Sequence, residues 1–410
     1  MARRKINWTI IALLLTSTPG LNAQGVPRPD YNKVPGIVID HSPASTGLYI
    51  GSPSIAVLPD GTYVASHDFF GPKSSEHRSA VSVVFHSTDR GVSWERIARI
   101  DGAFWSSLFV HEGELFLVGT TRHHGLVVIR RSSDGGRTWT SPSDGDSGLL
   151  TESGEYHTGP MPVLMHNGRL WRAFEDAGGG DRWGIRYRPM MMSAPVEADL
   201  LQRRNWTFSN YLQRDPTWMD GRFHAWLEGN AVATPDGEVL DILRMHYGGR
   251  GGRAAVVRIS SDGKKASFDP ENGFIDFPGG AKKFTIRFDP RSKAYWSLVN
   301  PVTSAARLQR DNAASIRNTL ALVRSTDLKN WDIRCVLLHH PDVLKHGFQY
   351  PDWRFDGEDM IAAIRTAYDD GLGGAHNAHD ANFLTFHRFV KFRELTLDDS
   401  VIDAKALELP

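Results

Sequence analysis

The side chains best suited to chemistry fall in polar stretches that separate short apolar runs. The chain has 17 histidines in 410 residues, and most of them lie in these polar stretches. An imidazole can take or give a proton near neutral pH, and an arginine pairs bidentately with a carboxylate. Aromatic rings can stack on the apolar face of a sugar. The candidate catalytic residues are His41, His67, His123 and Tyr350, and the candidate substrate-binding residues are Arg122, Arg244, Arg365, Trp226 and Glu228.

These residue types fit a pocket for an acidic sugar, and one reaction they could support is β-elimination at a uronate. The carboxylate must be neutralised, a base must remove the C5 proton, and an acid must assist the departing oxygen at C4. The arginines would neutralise the carboxylate, one histidine would be the base, and Tyr350 or a second histidine would be the acid. His41 is the first choice of base, because the neighbouring Asp40 could orient its ring.

One spacing allows a metal ion. The run His376-x-x-His379-Asp380 could hold a divalent ion such as calcium, or Asp380 could instead orient one of the histidines. We favour the second interpretation, assign no metal ligand and expect that no cofactor is required.

The elements that must position these residues are marked by a repeated turn. Ser87-Thr88-Asp89-Arg90-Gly91-Val92-Ser93-Trp94 and Ser132-Ser133-Asp134-Gly135-Gly136-Arg137-Thr138-Trp139 share the pattern Ser-x-Asp-x-Gly-x-x-Trp, and looser copies begin at Ser260 and Ser325. Ser and Asp fold such a turn through local hydrogen bonds, Gly supplies a positive φ, and Trp packs the turn against strands. The pattern resembles the Asp box of sialidase-like β-propellers, which implies an all-β propeller with these turns in a structural role.

Hairpin signals allow the blades to be counted, because each blade has one turn between its two inner strands. Six such turns separate short apolar runs, which predicts six blades, and a seventh, irregular blade is the alternative. A short strand at residues 36–40 would complete the ring beside the last blade, whose outer turn we place at residues 386–391. The six turns are Pro59-Asp60-Gly61, Glu112-Gly113, Asn167-Gly168, Pro235-Asp236-Gly237, Asp289-Pro290-Arg291 and Asp356-Gly357.

Sialidases of this superfamily use an arginine triad, a tyrosine–glutamate nucleophile pair and an aspartate acid. The resemblance implies that Arg244, Arg317 and Arg365 could form the triad. Those enzymes carry an Arg-Ile-Pro motif at the first blade, where this chain has His41-Ser42-Pro43 and Tyr49-Ile50-Gly51-Ser52-Pro53 instead. A sialidase-type exo-glycoside hydrolase, with Glu228 as an acid, is therefore kept as an alternative function.

Residues 41–54 and 350–359 resemble a second branch, the exported bacterial propellers that act on rhamnose-capped glucuronate glycans. The resemblance continues into His379-Asp380-Ala381-Asn382. It implies an enzyme that cleaves a terminal sugar from a uronic-acid-containing glycan, and an L-rhamnose-α-1,4-D-glucuronate lyase is our leading hypothesis. That family is described as seven-bladed and as relying on a histidine near the N-terminus, which His41 matches by position. A non-catalytic glycan-binding propeller is the remaining alternative.

The first residues predict export. Met1-Ala2-Arg3-Arg4-Lys5 is basic, an apolar run extends over residues 6–15, and Leu21-Asn22-Ala23 ends in small residues. This order is typical of a secretory signal peptide, and the run is too short to span a membrane. We therefore expect a signal peptide at residues 1–23, one β-propeller catalytic domain at residues 24–410, and a periplasmic or secreted location.

The overall charge limits the classes of binding partner. The formal net charge is zero and no basic tract occurs, which argues against nucleic acid or an anionic membrane as the main partner. We expect an acidic glycan or oligosaccharide as the substrate and a monomeric protein. The single cysteine, Cys335, excludes an internal disulfide, so the core must be stabilised by packing alone.

Overall fold

The computed structural model describes residues 28–408, and their regular secondary structure consists almost entirely of antiparallel strands. Within these residues the strands form six separate sheets. Five are built from consecutive parts of the chain, and the sixth combines the last three strands with the first. These are the six blades of a sialidase-type β-propeller, as the turn count predicted. The signal peptide predicted at residues 1–23 lies outside the described residues.

Blades one to three follow the chain from the second strand onward. Blade one contains β2 (Tyr49–Ile50), β3 (Ser54–Val57), β4 (Tyr63–Phe70), β5 (Val81–Ser87) and β6 (Glu95–Asp101). Blade two contains β7 (Phe104–His111), β8 (Glu114–Thr120) and β9 (Val127–Ser132). Blade three contains β10 (Tyr156–His157), β11 (Leu164–His166), β12 (Arg169–Asp176), β13 (Arg188–Pro195) and β14 (Thr207–Phe208).

Blades four to six complete the ring. Blade four contains β15 (Phe223–Ala233), β16 (Val239–Tyr247), β17 (Arg253–Ile259), β18 (Ala266–Ser267) and β19 (Phe274–Asp276). Blade five contains β20 (Thr285–Asp289), β21 (Ala294–Val299), β22 (Thr319–Ser325) and β23 (Asp332–His339). Blade six contains β24 (Gly347–Asp356), β25 (Asp359–Ala367), β26 (Phe383–Phe389) and, from the other end of the chain, β1 (Ile37–His41).

Helical structure is confined to short segments between strands. The one α-helix of residues 28–408 is α1 (Ser304–Gln309), which begins at the N-cap Thr303. Within the same residues, no helix has the length and apolar character that crossing a membrane requires. Six single-turn 3₁₀ segments lie at Ala44–Thr46, Arg203–Asn205, Ala313–Ser315, Phe392–Glu394, Leu397–Asp399 and Ala404–Ala406.

The ring is closed by pairing the first strand with the last. β1 runs antiparallel to β26, with Ile37 opposite Phe386 and His41 opposite Phe383, which confirms the predicted closing strand. The turn predicted at residues 386–391 is wrong, because Phe386 lies within β26. Blade six needs no outer turn there, since β1 supplies its fourth strand from a distant part of the sequence.

The cores lie between neighbouring blades. Trp171, Trp226, Trp296 and Trp353 belong to blades three, four, five and six, and each is fully buried. The cluster between blades six and one joins Ile39 and Phe386 to Ile55 and Phe85. Apolar burial of this kind is the main stabilising contribution to a sheet protein.

The repeated turns have the geometry that their residues predict. In the second copy, Ser132 Oγ donates to Asp134 Oδ1 (2.8 Å), and Asp134 accepts from the amides of Arg137 (3.0 Å) and Thr138 (2.9 Å). Trp139 Nε1 donates to the carbonyl of Gly136 at 2.8 Å. These hydrogen bonds lower the pKa of Asp134 to about 2, although burial alone would raise it.

We predict that Asp134→Ala lowers the free energy of unfolding by about 1 kcal/mol at pH 7, because several solvent-exposed hydrogen bonds are lost. The folded-state pKa lies below the ordinary value of 3.8, so the stabilisation is present above pH 3.8 and is lost as the pH falls toward 2. Urea denaturation from pH 7 to pH 3 measures this, with Asp181→Ala, at an exposed aspartate, as the control. An Asp134→Ala deficit that persists unchanged at low pH contradicts the account.

Candidate active site

A pocket of about 360 Å³ opens on the face that carries the long loops, over the inner strands. All six blades contribute to its wall, so its shape depends on the closed ring. The residues used below are Asp68 and Glu76 of blade one, Trp105 and His123 of blade two, His157 and Trp183 of blade three, Glu228, Arg244 and His246 of blade four, Arg317 of blade five, and Tyr350, Arg365 and His379 of blade six.

A tyrosine and a glutamate meet in this pocket. The Tyr350 hydroxyl donates to Glu228 Oε1 at 2.8 Å. Glu228 Oε2 accepts from Arg244 Nη1 at 2.8 Å, and both side chains of that ion pair are about 3 % exposed. The glutamate is therefore held on one oxygen by a guanidinium and on the other by a phenol.

Three arginines surround the same phenol. Arg244 Nη1 lies 3.4 Å from the Tyr350 oxygen, and the guanidinium carbons of Arg365 and Arg317 lie 4.9 Å and 5.8 Å from the ring centroid. All three side chains are buried. Arg317 Nε is buried and has no hydrogen-bond partner among the described residues. With one ionised glutamate among three guanidinium groups, this part of the pocket has excess positive charge and favours an anionic ligand.

Backbone conformation directs these side chains into the pocket. Trp105, Glu228 and Tyr350 have φ values of 49°, 56° and 54°, in the left-handed region that side chains rarely adopt. They lie on β7, β15 and β24, the inner strands of blades two, four and six, and each coincides with a break in strand register. Such bulges re-aim side chains and are common beside active sites.

Buried polar groups hold each bulge. Asp68 Oδ2 accepts from the amide of Trp105 at 2.6 Å. Glu175 Oε1 accepts from the amide of Gly229 at 3.2 Å. The carbonyl of Pro351 accepts from Lys283 Nζ at 2.6 Å. The bulged backbone is thus compensated by hydrogen bonds that an unbulged strand would not need.

The pKa values favour an ionised Glu228 beside a neutral Tyr350 and a neutral His246. Burial alone would raise the pKa of Glu228, but the charge of Arg244 reverses the effect and lowers it below the ordinary 4.5. Burial raises the pKa of Tyr350, so the phenol keeps its proton at neutral pH. Burial, aided by Arg244, lowers the pKa of His246 to about 3, consistent with Arg244 Nη2 donating to its Nε2 at 3.0 Å.

Five of the predicted site residues come together in this pocket: His123, Tyr350, Arg244, Arg365 and Glu228. The sequence interpretation placed Glu228 and Tyr350 in loops, and the structure corrects this, because both lie within inner strands.

His41 lies elsewhere. Its Nε2 contacts Asp370 Oδ2 at 3.0 Å, its Nδ1 contacts the Tyr31 hydroxyl at 3.2 Å, and its ring stacks on Phe383. It belongs to the outermost strand of blade six, roughly three inter-strand spacings of ~4.8 Å from β24. Both ring nitrogens are already engaged, so the geometry corrects the expected base role and gives His41 a part in closing the ring.

His67 has a similar position. Its Nε2 contacts Asp40 Oδ2 at 2.8 Å and its Nδ1 contacts the carbonyl of Asp68 at 2.9 Å, and the residue is buried. Asp40 therefore orients His67 and not, as expected, His41. This pair joins blade one to the strand that closes blade six, and it lies outside the pocket wall.

Two predicted substrate-binding residues, Arg122 and Trp226, also lie outside the pocket wall. Arg122 is exposed, and its Nη1 donates to the carbonyl of His77 at 3.2 Å. Trp226 is fully buried in an aromatic cluster with Trp218, Phe223 and Phe268. Trp226 was expected in a loop but lies in strand β15. Its indole packs on the side of the strand that faces the core, so Trp226 has no surface exposed to a sugar.

Several pocket residues were not predicted. Trp105 has no sequence signal, because nothing local marks the bulge that exposes it. Asp68 and Glu76 lie in a stretch recognised as polar but were not singled out. Near the rim, Glu76, His77 and His123 form the one group among the described residues with a geometry suited to a metal ion, whereas His376 Nδ1 and His379 Nδ1 both contact Asp380.

Comparison with known proteins supports the architecture. No protein-family model and no curated protein matches the chain by sequence. Solved structures match it across most of its length. The chain has the sialidase-type propeller fold.

Three structures illustrate the match. The α-L-arabinanase of Penicillium chrysogenum complexed with arabinobiose aligns at 15 % identity with a TM-score of 0.52, covering 88 % of this chain and 98 % of that one. The α-L-arabinofuranosidase Arb93A of Fusarium graminearum aligns at 12 % identity with a TM-score of 0.55, covering 88 % and 98 %. The Hadza microbial sialidase Hz136 aligns at 15 % identity with a TM-score of 0.59, covering 87 % and 69 %. At identities this low, the structural similarity shows the fold alone.

We predict that His41→Ala lowers the free energy of unfolding by about 1–3 kcal/mol, because the buried Asp370 carboxylate loses a partner. The activity of the folded variant, measured below its melting temperature, stays within about twofold of wild type, since His41 lies outside the pocket. Denaturant titration and turnover measured on the same preparation test both parts, with His376→Ala, at an exposed histidine outside the pocket, as the control. A loss of kcat of a hundredfold without a loss of stability would restore the base role.

Proposed function

We propose that the protein is a carbohydrate-active enzyme that cleaves a glycosidic bond at a sugar bearing a carboxylate. The observation that carries the proposal is the Tyr350 hydroxyl, which donates to the ionised Glu228 inside a ring of three buried arginines. The structural neighbours include an arabinanase, an arabinofuranosidase and a sialidase, which adds support for a glycan substrate.

The pair is arranged for nucleophilic catalysis. A neutral phenol is a poor nucleophile, and an adjacent base activates it by taking its proton. As the Tyr350 oxygen bonds to the anomeric carbon, its proton passes to Glu228 and the glycosidic oxygen departs. Water then attacks the glycosyl–tyrosine and gives a proton to the carboxylate that protonated the leaving oxygen. Glu228 returns its proton to the phenol, and the sugar is released with retained configuration. A phenol also suits an anionic sugar, because a carboxylate nucleophile would repel the substrate carboxylate.

The leaving oxygen needs a proton, and Asp68 is our candidate acid. Burial raises its pKa above the ordinary 3.8, which favours the protonated form that a general acid requires. Its two oxygens accept from the amides of Ser52 (2.7 Å) and Trp105 (2.6 Å), so the carboxyl group is fixed at the pocket wall.

The arginines indicate where the carboxylate binds. Arg244, Arg317 and Arg365 all line the pocket, and a planar carboxylate can accept from two N–H groups of one guanidinium. A second depression of about 750 Å³ adjoins the pocket, and the two share His246, Asn312 and Ala314. We assign this space to the part of the glycan beyond the cleaved bond.

β-Elimination is the second candidate, favoured by the neutral imidazoles in the same wall. Burial lowers the pKa of His157 to about 3, so this ring is unprotonated at neutral pH and could accept the C5 proton of a uronate. His379 also lines the pocket and is a second candidate base. The arginines would acidify that proton by binding the carboxylate. A rhamnose–glucuronate glycan, the leading hypothesis from the sequence, fits this chemistry.

We predict that Tyr350→Phe lowers kcat by at least about 10³-fold and Glu228→Gln by at least about 10²-fold, because the nucleophile or its base is removed. Tyr295→Phe is the matched control, since that buried hydroxyl donates to the carbonyl of Ala233 away from the pocket. Candidate substrates are a fluorogenic sialoside and rhamnosyl-glucuronate oligosaccharides, with products analysed by mass spectrometry. Full activity of folded Tyr350→Phe excludes the nucleophile role.

The product distinguishes the two reactions. A hydrolase adds water across the cleaved bond. A fluorinated substrate analogue that traps the glycosyl–tyrosine intermediate then adds its mass to the peptide that contains Tyr350. A lyase instead gives an unsaturated uronate that absorbs in the ultraviolet. Appearance of that absorbance, with no adduct on Tyr350, replaces the hydrolase by the lyase.

We predict that the acidic limb of kcat/KM lies below pH 4.5, because Glu228 must be ionised and its pKa is lowered from that value. Activity is present above this pKa and falls as the pH drops through it. Arg244→Gln removes the charge that lowers the pKa, so its acidic limb shifts upward. Initial rates between pH 3 and pH 7 for both proteins provide the measurement, and a wild-type limb well above pH 4.5 contradicts the assignment of the base to Glu228.

A further inference from the structure

We propose that Glu76, His77 and His123 form a binding site for a zinc-class divalent metal ion at the rim of the pocket. Glu76 and His77 lie in the loop between β4 and β5, and His123 lies in the loop between β8 and β9. One oxygen of Glu76 and one nitrogen of each imidazole lie within 4.8 Å of one another. Two imidazoles and a carboxylate are a ligand set that zinc accepts in sites with an open fourth position.

The carboxylate is placed between the two rings. Glu76 Oε1 lies 3.4 Å from His77 Nε2, and Glu76 Oε2 lies 4.0 Å from His123 Nδ1. The two imidazole rings lie 4.6 Å apart, with an interplanar angle of 32°. Each carboxylate oxygen thus faces a ring nitrogen, and the gap between His123 and Glu76 exceeds a hydrogen bond.

An unsatisfied atom marks the position of a ligand. His123 Nδ1 is buried and has no hydrogen-bond partner among the described residues. A buried polar atom without a partner is costly, and a bound ion is one way to satisfy it. The ring is also packed against Trp105, at 4.7 Å between centroids, so its orientation is fixed by the bulged strand of blade two.

The two loops are joined before any ion binds. The amide of His123 donates to the carbonyl of Glu76 at 2.7 Å, and Arg122 Nη1 donates to the carbonyl of His77 at 3.2 Å. Within the second loop, the amide of Gly125 donates to the carbonyl of Arg122 at 2.8 Å. These hydrogen bonds hold the backbones of the two loops together, so an ion need only draw the three side chains together.

The donor types decide the class of ion. Calcium and magnesium prefer all-oxygen ligands, whereas imidazole nitrogens suit zinc and its neighbours in the first transition row. Glu76 and His123 both line the pocket, so the open coordination position is available to a water molecule or a sugar oxygen. Metal binding itself is independent of whether the enzyme is a hydrolase or a lyase.

Metal content tests the site directly. Untagged protein is stripped with a chelator and dialysed against zinc, and bound metal is measured by mass spectrometry. We expect one zinc per wild-type chain, and at least tenfold weaker binding in His77→Ala and in Glu76→Gln. His77 is 71 % exposed, so its removal leaves the fold intact. His376→Ala is the matched control, because it removes another exposed histidine that contacts a carboxylate.

A second readout identifies the ligands without reference to activity. Cobalt substituted for zinc should give the visible absorption of a four-coordinate nitrogen–oxygen site, and His77→Ala should abolish it. The proposal is overturned if the wild type binds no zinc, or if His77→Ala and Glu76→Gln bind zinc as tightly as the wild type. Loss of zinc binding in His376→Ala also overturns it. Calcium in place of zinc should give no binding in any of these proteins.

Discussion

The pocket depends on left-handed backbone at single residues of three inner strands. A regular strand directs successive side chains alternately to the two faces of its sheet, and neither face of a blade points along the propeller axis. At Glu228 and Tyr350 the bulge turns the side chain toward that axis, and the two can then touch. Such conformations cost of order 1–3 kcal/mol each. The buried hydrogen bonds to Asp68, Glu175 and Lys283 offset this cost.

The same polar groups set the charge of the pocket. Burial raises the pKa of Glu175 to about 8, and the nearby Glu228 adds to the effect. Glu175 can therefore hold the bulge of blade four without adding a full negative charge beside Glu228. Arg244 has the opposite effect on Glu228, since its guanidinium favours the ionised carboxylate. Two glutamates close together thus take different protonation states because only one of them is paired with an arginine.

The architecture could be predicted from local sequence, but the arrangement of the candidate site could not. The hairpin turns and the repeated Ser-x-Asp-x-Gly-x-x-Trp turns could be recognised, because their geometry is set by residues within a few positions. His41 could not be placed, since its partner Asp370 is 329 residues away. The stretch around Glu228 was predicted as a polar loop, yet it lies in a strand that contains Gly229. A Cβ there would lie 1.9 Å from Asp241 Oδ1, so tertiary packing, not a turn, requires glycine.

Closure of the ring by β1 makes completion of the propeller an all-or-none event. Until residues 37–41 pair with β26, that strand is a free edge with unsatisfied amides and carbonyls, which is a template for association with other chains. The pairing joins segments more than 340 residues apart. The loss of chain entropy on closing this long loop must therefore be offset before the contact contributes any stability. The pocket wall draws on blades one and six together, and an unsealed ring would therefore lack a formed ligand site as well as a protected edge.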